Sequence, residues 1–256
     1  MPDLGLSLAA GHQLVSFSER PDLVRAALSF NTSVWPEFML QDPVTDEHWH
    51  LLWEAFGDFQ LTLLDAAGRM AATTNSAPLA WDGTDAGLPD GWSAQLRRSA
   101  ADHAAGAIVN TLGALQIVVD PERRGSGYAG LMLQAMRANA LAHGFGSVIA
   151  CVRPTDKHHY PLTPIDRYAR WVRTDGEPFD AWIRLHVRLG GRIVRGVERS
   201  MTMRGTVAEW EQWTGMSFPD TGQYIVPLAI APVDIDREAD QGTYHDPNVW
   251  IVHALR

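Results

Sequence analysis

One large α/β unit is predicted for this 256-residue chain, on three observations. Apolar runs rich in Ile and Val alternate with amphipathic helical stretches. The length exceeds that of the usual domain, yet no linker, internal repeat or low-complexity segment divides it. A buried-type strand, Leu112–Val119, leads through a glycine-bearing loop into the clearest helix, 127–143. With 46% hydrophobic residues and ten tryptophans, the chain is not disordered and can bury a core without disulfides or metal.

Taken in order, Gln13–Phe17 reads as a short strand, and the turn at Ser18-Glu19-Arg20-Pro21 leads into a helix over about 22–30. Asp46–Ala55 reads as a helix capped by Thr45. Residues 59–65 and Met70–Thr74 flank Ala66-Ala67-Gly68-Arg69 and predict a hairpin. A Gly/Asp/Pro loop over 80–91 precedes a helix at Trp92–Ala105. In the 127–143 helix, Ala129, Leu133, Met136 and Ala140 keep one apolar face, with Gly144 as C-cap. Ser147–Val152 is a second buried strand, and residues 161–179 are an irregular excursion. Asp180–Leu189 is a short helix ended by Gly190-Gly191. Arg192–Val197 and Met201–Arg204 read as an antiparallel pair. Thr206–Thr214 reads as a helix with a Thr206/Glu209 capping box, and strands are expected at Tyr224–Ala231 and near Val249–Ala254.

Twenty-one basic and thirty acidic residues give net −9, which argues against nucleic-acid or membrane-surface partners. Cys151 stands alone, so no intrachain disulfide or multi-Cys zinc site is expected, and a reducing compartment suits it. Met1-Pro2-Asp3-Leu4-Gly5 lacks the features of a secretory leader, and no run of eighteen apolar residues occurs; a cytoplasmic protein is expected. The charge is uneven. All basic residues but Lys157 are arginines, and residues 151–204 carry net +5. These arginines either pair with neighbouring carboxylates or handle an anion, and the position of the stretch beside the glycine loop favours anion handling.

The most specific feature is Val118-Val119-Asp120-Pro121-Glu122-Arg123-Arg124-Gly125-Ser126-Gly127-Tyr128-Ala129-Gly130. Closely spaced glycines let backbone amides converge at a helix N-terminus, which makes an anion site. A dinucleotide fingerprint fits formally, but five residues separate Val119 from Gly125, whereas that motif places its first glycine directly after the strand. A P-loop is excluded because no Gly-Lys-Ser/Thr occurs. Arg124-Gly125-Ser126-Gly127-Tyr128-Ala129, by contrast, has the form Arg/Gln-x-x-Gly-x-Gly/Ala. It resembles the acetyl-CoA-binding motif of the GNAT acyltransferase superfamily. The likeness spans about residues 112–198 and includes Leu185-His186-Val187-Arg188-Leu189-Gly190, which is similar to the family's Leu-Tyr-x-x-x-Gly.

The resemblance implies an α+β fold: a mixed, mostly antiparallel sheet with a splayed central pair of parallel strands and flanking helices. It also implies acetyl-CoA, or another acyl-CoA, as co-substrate, with no metal. Arg124, Gly125, Ser126, Gly127, Tyr128 and Ala129 would bind the pyrophosphate. Ile117, Val118 and Val119 would pair with the pantetheine arm, and an amide near Val118 or Val119 would stabilise the oxyanion. The implied reaction is direct attack of a small-molecule amine on the thioester. The family's acid is a Tyr; here His186 stands in its place, with acid–base competence of its own. A long insertion, 153–179, is expected as a lid, from which Thr155 and Tyr160 join His186 as catalytic candidates. Residues 205–256 are expected as a C-terminal extension of a single domain, 1–256. Thr155 with His186 also suits a related class that decarboxylates malonyl-CoA and passes the acyl group to a carrier-protein thiol. A catalytically inactive CoA-binding module is the non-enzymatic alternative, and a nicotinamide-dependent oxidoreductase is the rival enzyme class. Glu47-His48-Trp49-His50 and His158-His159 lack metal-ligand spacing. Cys151 is expected as a core residue beside the acyl site, and Trp35, Trp49 and Trp53 as core, with Trp35 near the acceptor site.

Overall fold

The computed structural model describes residues 4–255; Met1 to Asp3, part of the segment read for a leader, and Arg256 lie outside the described residues. Among the described residues no helix is long and apolar enough to cross a membrane. The N-terminal half begins with β1 (Gln13–Ser16), followed by α1 (Val24–Thr32), α2 (Pro43–His48) and α3 (Leu51–Glu54). The helix expected over Asp46–Ala55 is therefore two pieces, the first starting earlier, at Pro43. Asp42, rather than Thr45, caps α2: its carboxylate accepts from the Val44 amide at 2.7 Å, with Pro43 in the first helical position. The expected hairpin forms from β2 (Leu61–Leu64) and β3 (Met70–Leu79). Asp65 builds its turn by accepting from the amides of Ala67 and Arg69 at 2.9 Å each.

Next come α4 (Trp92–Ala104), β4 (Thr111–Val119), α5 (Tyr128–Ala142) and β5 (Ser147–Val152). After an excursion that contains α6 (Ile165–Tyr168), α7 (Ala181–Arg188) starts on Asp180, whose carboxylate accepts from the amides of Trp182 and Ile183. The chain ends with β6 (Arg192–Gly205), α8 (Val207–Thr214), β7 (Gly222–Tyr224), β8 (Val233–Asp236) and β9 (Gln241–Ala254). The capping box of Thr206 and Glu209 is present on α8.

The strands form one sheet in the order β1-β2-β3-β4-β5-β9-β8-β7, with β6 on the other edge of β9. Only β4 and β5 run parallel; every other pair is antiparallel. Two sequence expectations fail here. Arg192–Val197 and Met201–Arg204 do not pair with each other: they are halves of β6, which bulges between Val197 and Met201 while both halves pair with β9. Of the strand expected at Tyr224–Ala231, only Tyr224 is extended; pairing resumes at Val233. The segment read as a C-terminal extension supplies β9 to the middle of the sheet, where it holds β6 on one side and both β5 and β8 on the other.

Alternation along β9 divides the core in two. Trp250 and Val252 enter a large cluster with Phe38, Trp92, Trp210 and Tyr244. Val249 and Ile251 face Ile165, Ala169 and Ile183 on the opposite side. The 153–179 excursion belongs to this second layer. Its Ile165 and Tyr168 are fully buried, and the Lys157 ammonium donates to the Ile230 carbonyl at 2.7 Å, with burial holding its pKa down to about 8. Its aromatic residues make it a packed layer, not the cover over the site that the sequence suggested.

The β6 bulge docks the start of α4. Ser200 Oγ accepts from the Trp92 amide at 2.8 Å and donates to Asn248 Oδ1 at 2.7 Å. The backbone can approach this closely because residue 91 is glycine, at φ +101°; a Cβ there would fall 2.4 Å from Ser200 Cα. Gly91→Ala is expected to lower unfolding free energy by about 2–4 kcal/mol, from the clash and the positive φ together. Chemical denaturation checks this: a midpoint equal to wild type would show that Gly91 is not required.

Candidate active site

The two parallel strands stay together for only four residue pairs, from Thr111–Ser147 to Ala114–Ala150. Beyond that point β4 continues to Val119 and β5 to Val152 without pairing with each other. The divergence begins at a bulge. Asn75 of β3 faces Gln116 and Ser76 faces Ala114, so Leu115 is an extra residue. Its carbonyl accepts from Trp92 Nε1 at 2.7 Å. The edge of β4 from Leu115 onward thus faces no strand, and a cavity of about 440 Å³ opens between the strands.

Five tryptophans, Trp35, Trp49, Trp53, Trp92 and Trp182, contribute to the wall. Trp49 stacks on Trp92 with ring centres 6.0 Å apart. Trp35 donates to Gln116 Oε1 at 3.1 Å, and Gln116 donates to Asn75 Oδ1 at 2.7 Å. Asn75 in turn donates to Gln60 Oε1 at 3.0 Å and accepts from Asn31 at 2.9 Å. This buried amide chain holds Trp35 and Gln116 in single orientations. Cys151 also lines the cavity, but its thiol lies 3.2 Å from Ser200 Oγ and burial pushes its pKa up to about 12, so it is not a nucleophile.

The charges at the cavity are few. Arg153 is held by Asp246 at 2.9 Å and by the Leu228 carbonyl at 2.8 Å. Asp46, exposed on α2, lines the cavity with no ion pair among the described residues. His186 lines the cavity from α7; it is 2% exposed. Its Nδ1 lies 2.9 Å from His253 Nε2, and its Nε2 has no partner. Burial, reinforced by the neighbouring His253, pushes the pKa of His186 down to about 3; burial and then Arg137 push His253 down to about 4. Both rings are neutral at pH 7.

The glycine loop meets the requirements of an anion cradle. Gly125 and Gly127 take φ +80° and +86°, a region closed to most side chains. Gly127 caps α5 without any side-chain hydrogen bond, so the first-turn amides remain free for a ligand. Ser126 Oγ donates to the Arg123 carbonyl at 2.6 Å, and Arg123 is tied to Asp65 and Asp120. Arg124 is exposed and forms no ion pair among the described residues. Tyr128 and Ala129 open the helix, and the Tyr128 hydroxyl meets His12 Nε2 at 2.8 Å.

Of the residues singled out from the sequence, the structure brings His186, Ile117, Cys151, Trp35, Trp49 and Trp53 to the cavity. Val118 and Val119 lie just beyond its lining, on the unpaired edge of β4. Thr155 is exposed in a turn, its carbonyl engaged by His158 Nδ1 at 2.9 Å, and it is outside the cavity. Tyr160 packs among Trp171, Tyr168 and Phe179, also outside. Only Arg153 of the presumed lid reaches the cavity. Four arginines of the net-positive stretch, expected to handle an anion, are instead taken by neighbouring groups of the chain. Arg188 pairs with Glu177, Arg192 with Asp85 and Arg173 with Asp175, and Arg184 donates to two carbonyls. Asp46, Gln116, Trp92 and Trp182, which line the cavity from four separate elements, and His253, which contacts His186, were missed because none carries a local motif. Among the described residues no group of three or more His, Cys, Asp or Glu side chains gathers as a metal site.

No protein-family model matches the sequence. The arginine N-acetyltransferase avaD of Aspergillus versicolor is 32% identical over 286 aligned positions, which span 100% of this chain and 98% of that protein. Among solved structures, the loading GNATL domain of CurA from Lyngbya majuscula superposes with a TM-score of 0.61 at 13% identity, over 95% of this chain and 98% of that one. The GphF GNAT-like decarboxylase in complex with isobutyryl-CoA superposes with a TM-score of 0.54 at 18% identity, over 96% and 99%. These two likenesses are of fold, and they match the splayed parallel pair and the mixed sheet. With its fold, its glycine loop and a full-length relative in agreement, the chain belongs to the GNAT family of acyl-CoA-dependent N-acetyltransferases.

Proposed function

We propose that this enzyme transfers an acetyl group from acetyl-CoA to a nitrogen of arginine, or of a small molecule that carries an arginine side chain. The observation that carries the acceptor class is the wall of the cavity: five tryptophans and one carboxylate, Asp46, left without a cation, while Arg153 is neutralised by Asp246. Aromatic faces attract a planar guanidinium by roughly 0.5–2 kcal/mol each when desolvated. An exposed carboxylate adds about 1 kcal/mol or less, so the rings set affinity and Asp46 sets the sign of charge admitted. That avaD is an arginine N-acetyltransferase is consistent with this reading.

In the proposed mechanism the first-turn amides of α5 and the free Arg124 guanidinium bind the pyrophosphate. The unpaired edge of β4 takes the extended arm by backbone pairing, as a neighbouring strand would. Because Leu115, Gln116 and Ile117 line the cavity and Val118 and Val119 do not, the oxyanion donor is assigned to the backbone of Leu115–Ile117. His186 Nε2 accepts the proton of the attacking nitrogen and returns it to the departing sulfur. The carrier-protein reading needs Thr155 beside the thioester, and the position of Thr155 outside the cavity leaves it without that group.

Incubation with acetyl-CoA and L-arginine, or arginine-bearing dipeptides, should give a product one acetyl group heavier, detected by mass spectrometry; an amine panel acetylated equally well without any cationic side chain would overturn the acceptor class. Asp46→Asn should raise the acceptor KM about 2- to 5-fold and leave the acetyl-CoA KM alone. His186→Ala should lower kcat by about 10²–10⁴. Because burial holds His186 far below its ordinary value, the kcat profile between about pH 5 and 8 should lack a step near 6.5. Stopped assays across that range check this, and such a step would show a solvated ring.

A further inference from the structure

We propose that His253 is a positioning residue for the transfer: it holds His186 as the Nδ1–H tautomer and leaves the Nε2 lone pair of His186 bare to accept the proton. This rests on the role given to His186 above. The two rings come from distant parts of the chain, the last turn of α7 and the middle of the sheet, where His253 sits opposite Val148 of β5. Both are buried, at 2% and 0% exposure, and their nitrogens are 2.9 Å apart.

Two neutral imidazoles share one hydrogen between them, and either ring can supply it. The role of His186 fixes which: to take a proton at Nε2 the ring must hold its hydrogen on Nδ1, and His253 Nε2, 2.9 Å away, is the atom placed to accept it. His186 Nε2, on a residue that lines the cavity, has no hydrogen-bond partner and carries the lone pair.

Gly191 makes room for this arrangement. A Cβ at that position would lie 2.8 Å from His253 Cε1, 2.8 Å from the His186 carbonyl and 2.7 Å from Ile251 Cγ2. During transfer the N–H bond of the attacking nitrogen breaks as its bond to the acyl carbon forms, and the proton passes to His186 Nε2. The resulting imidazolium keeps its Nδ1–H on His253, in a bond strengthened by the charge. The Nε2 proton then moves to sulfur as the C–S bond breaks, and His253 gains and loses nothing. Its role parallels that of the buried carboxylate which orients the histidine of a serine-protease triad, with a neutral acceptor in its place.

The test uses the full chain with labelled histidine. Long-range ¹H–¹⁵N spectra of the free enzyme should show His186 as the Nδ1–H tautomer in wild type and in His253→Gln, whose amide oxygen can still accept. Mixed tautomers are expected in His253→Ala and His253→Leu. With arginine as acceptor, kcat should fall about 10- to 100-fold in the apolar variants, with the acetyl-CoA KM unchanged, and recover to within about threefold in His253→Gln. Thermal melts and CoA calorimetry identify any variant that does not fold; two apolar variants are made so that one failure leaves the other. An Nε2–H tautomer of His186 in wild type, or wild-type kcat in a folded His253→Leu, overturns the proposal. The tautomer measurement needs no acceptor, so it stands even if arginine gives no product with any variant, which would instead refute the acceptor. His186→Ala with wild-type kcat would refute the role of His186 itself.

Discussion

Everything at the site depends on one hydrogen bond, from the Trp92 indole to the Leu115 carbonyl. Parallel strands normally continue their ladder as far as both extend. Here the extra residue Leu115 turns its carbonyl toward Trp92 instead, and pairing with β5 ends at Ala114. The backbone left on that edge is a liability, since each buried amide or carbonyl without a partner costs roughly 1–3 kcal/mol. An edge of this kind is tolerable beside a ligand whose own arm carries amides. The bulge therefore makes the cavity and prepares a strand-like binding surface along its wall.

Trp92 can act this way because it is itself anchored. Its backbone amide is held by Ser200, at the bulge of β6, and Ser200 also contacts Asn248 and Cys151. Gly91 permits the approach. Two bulges in two strands are thus clamped to one another through the start of a helix, and the opening between β4 and β5 is built into the packing. The amide chain from Gln60 to Trp35 adds a second rigid support, so the aromatic wall is preorganised, which reduces the ordering cost of binding.

Charge is arranged by the same economy. In the arginine-rich middle of the chain, Arg188 and Arg192 tie surface segments together through Glu177 and Asp85, and exposed pairs of this sort contribute little individually. Arg124 beside the glycine loop and Asp46 at the cavity form no ion pair among the described residues. The histidine at the cavity, His186, and its neighbour His253 are both neutral.

The glycine loop, the strand before it and the helix after it were legible in the sequence, because a left-handed turn at a helix N-terminus demands glycine locally. So were the hairpin at Asp65, the capping box at Thr206 and the position of His186, each governed by residues within a few positions of one another. The alternating pattern could not show that β6 is one bulged strand, that β9 lies at the centre of the sheet, or that residues 153–179 form a packed layer. Pairing partners and sheet order are long-range choices, and a strand's composition says only that it is buried. Trp92, Trp182, Asp46, Gln116 and His253 sit far apart in the chain and carry no signal of their own. Sequence alone determined the family, the glycine loop and one catalytic candidate; the tertiary structure decided which side chains meet that candidate, because only the folded sheet brings α7 and β9 within hydrogen-bonding distance.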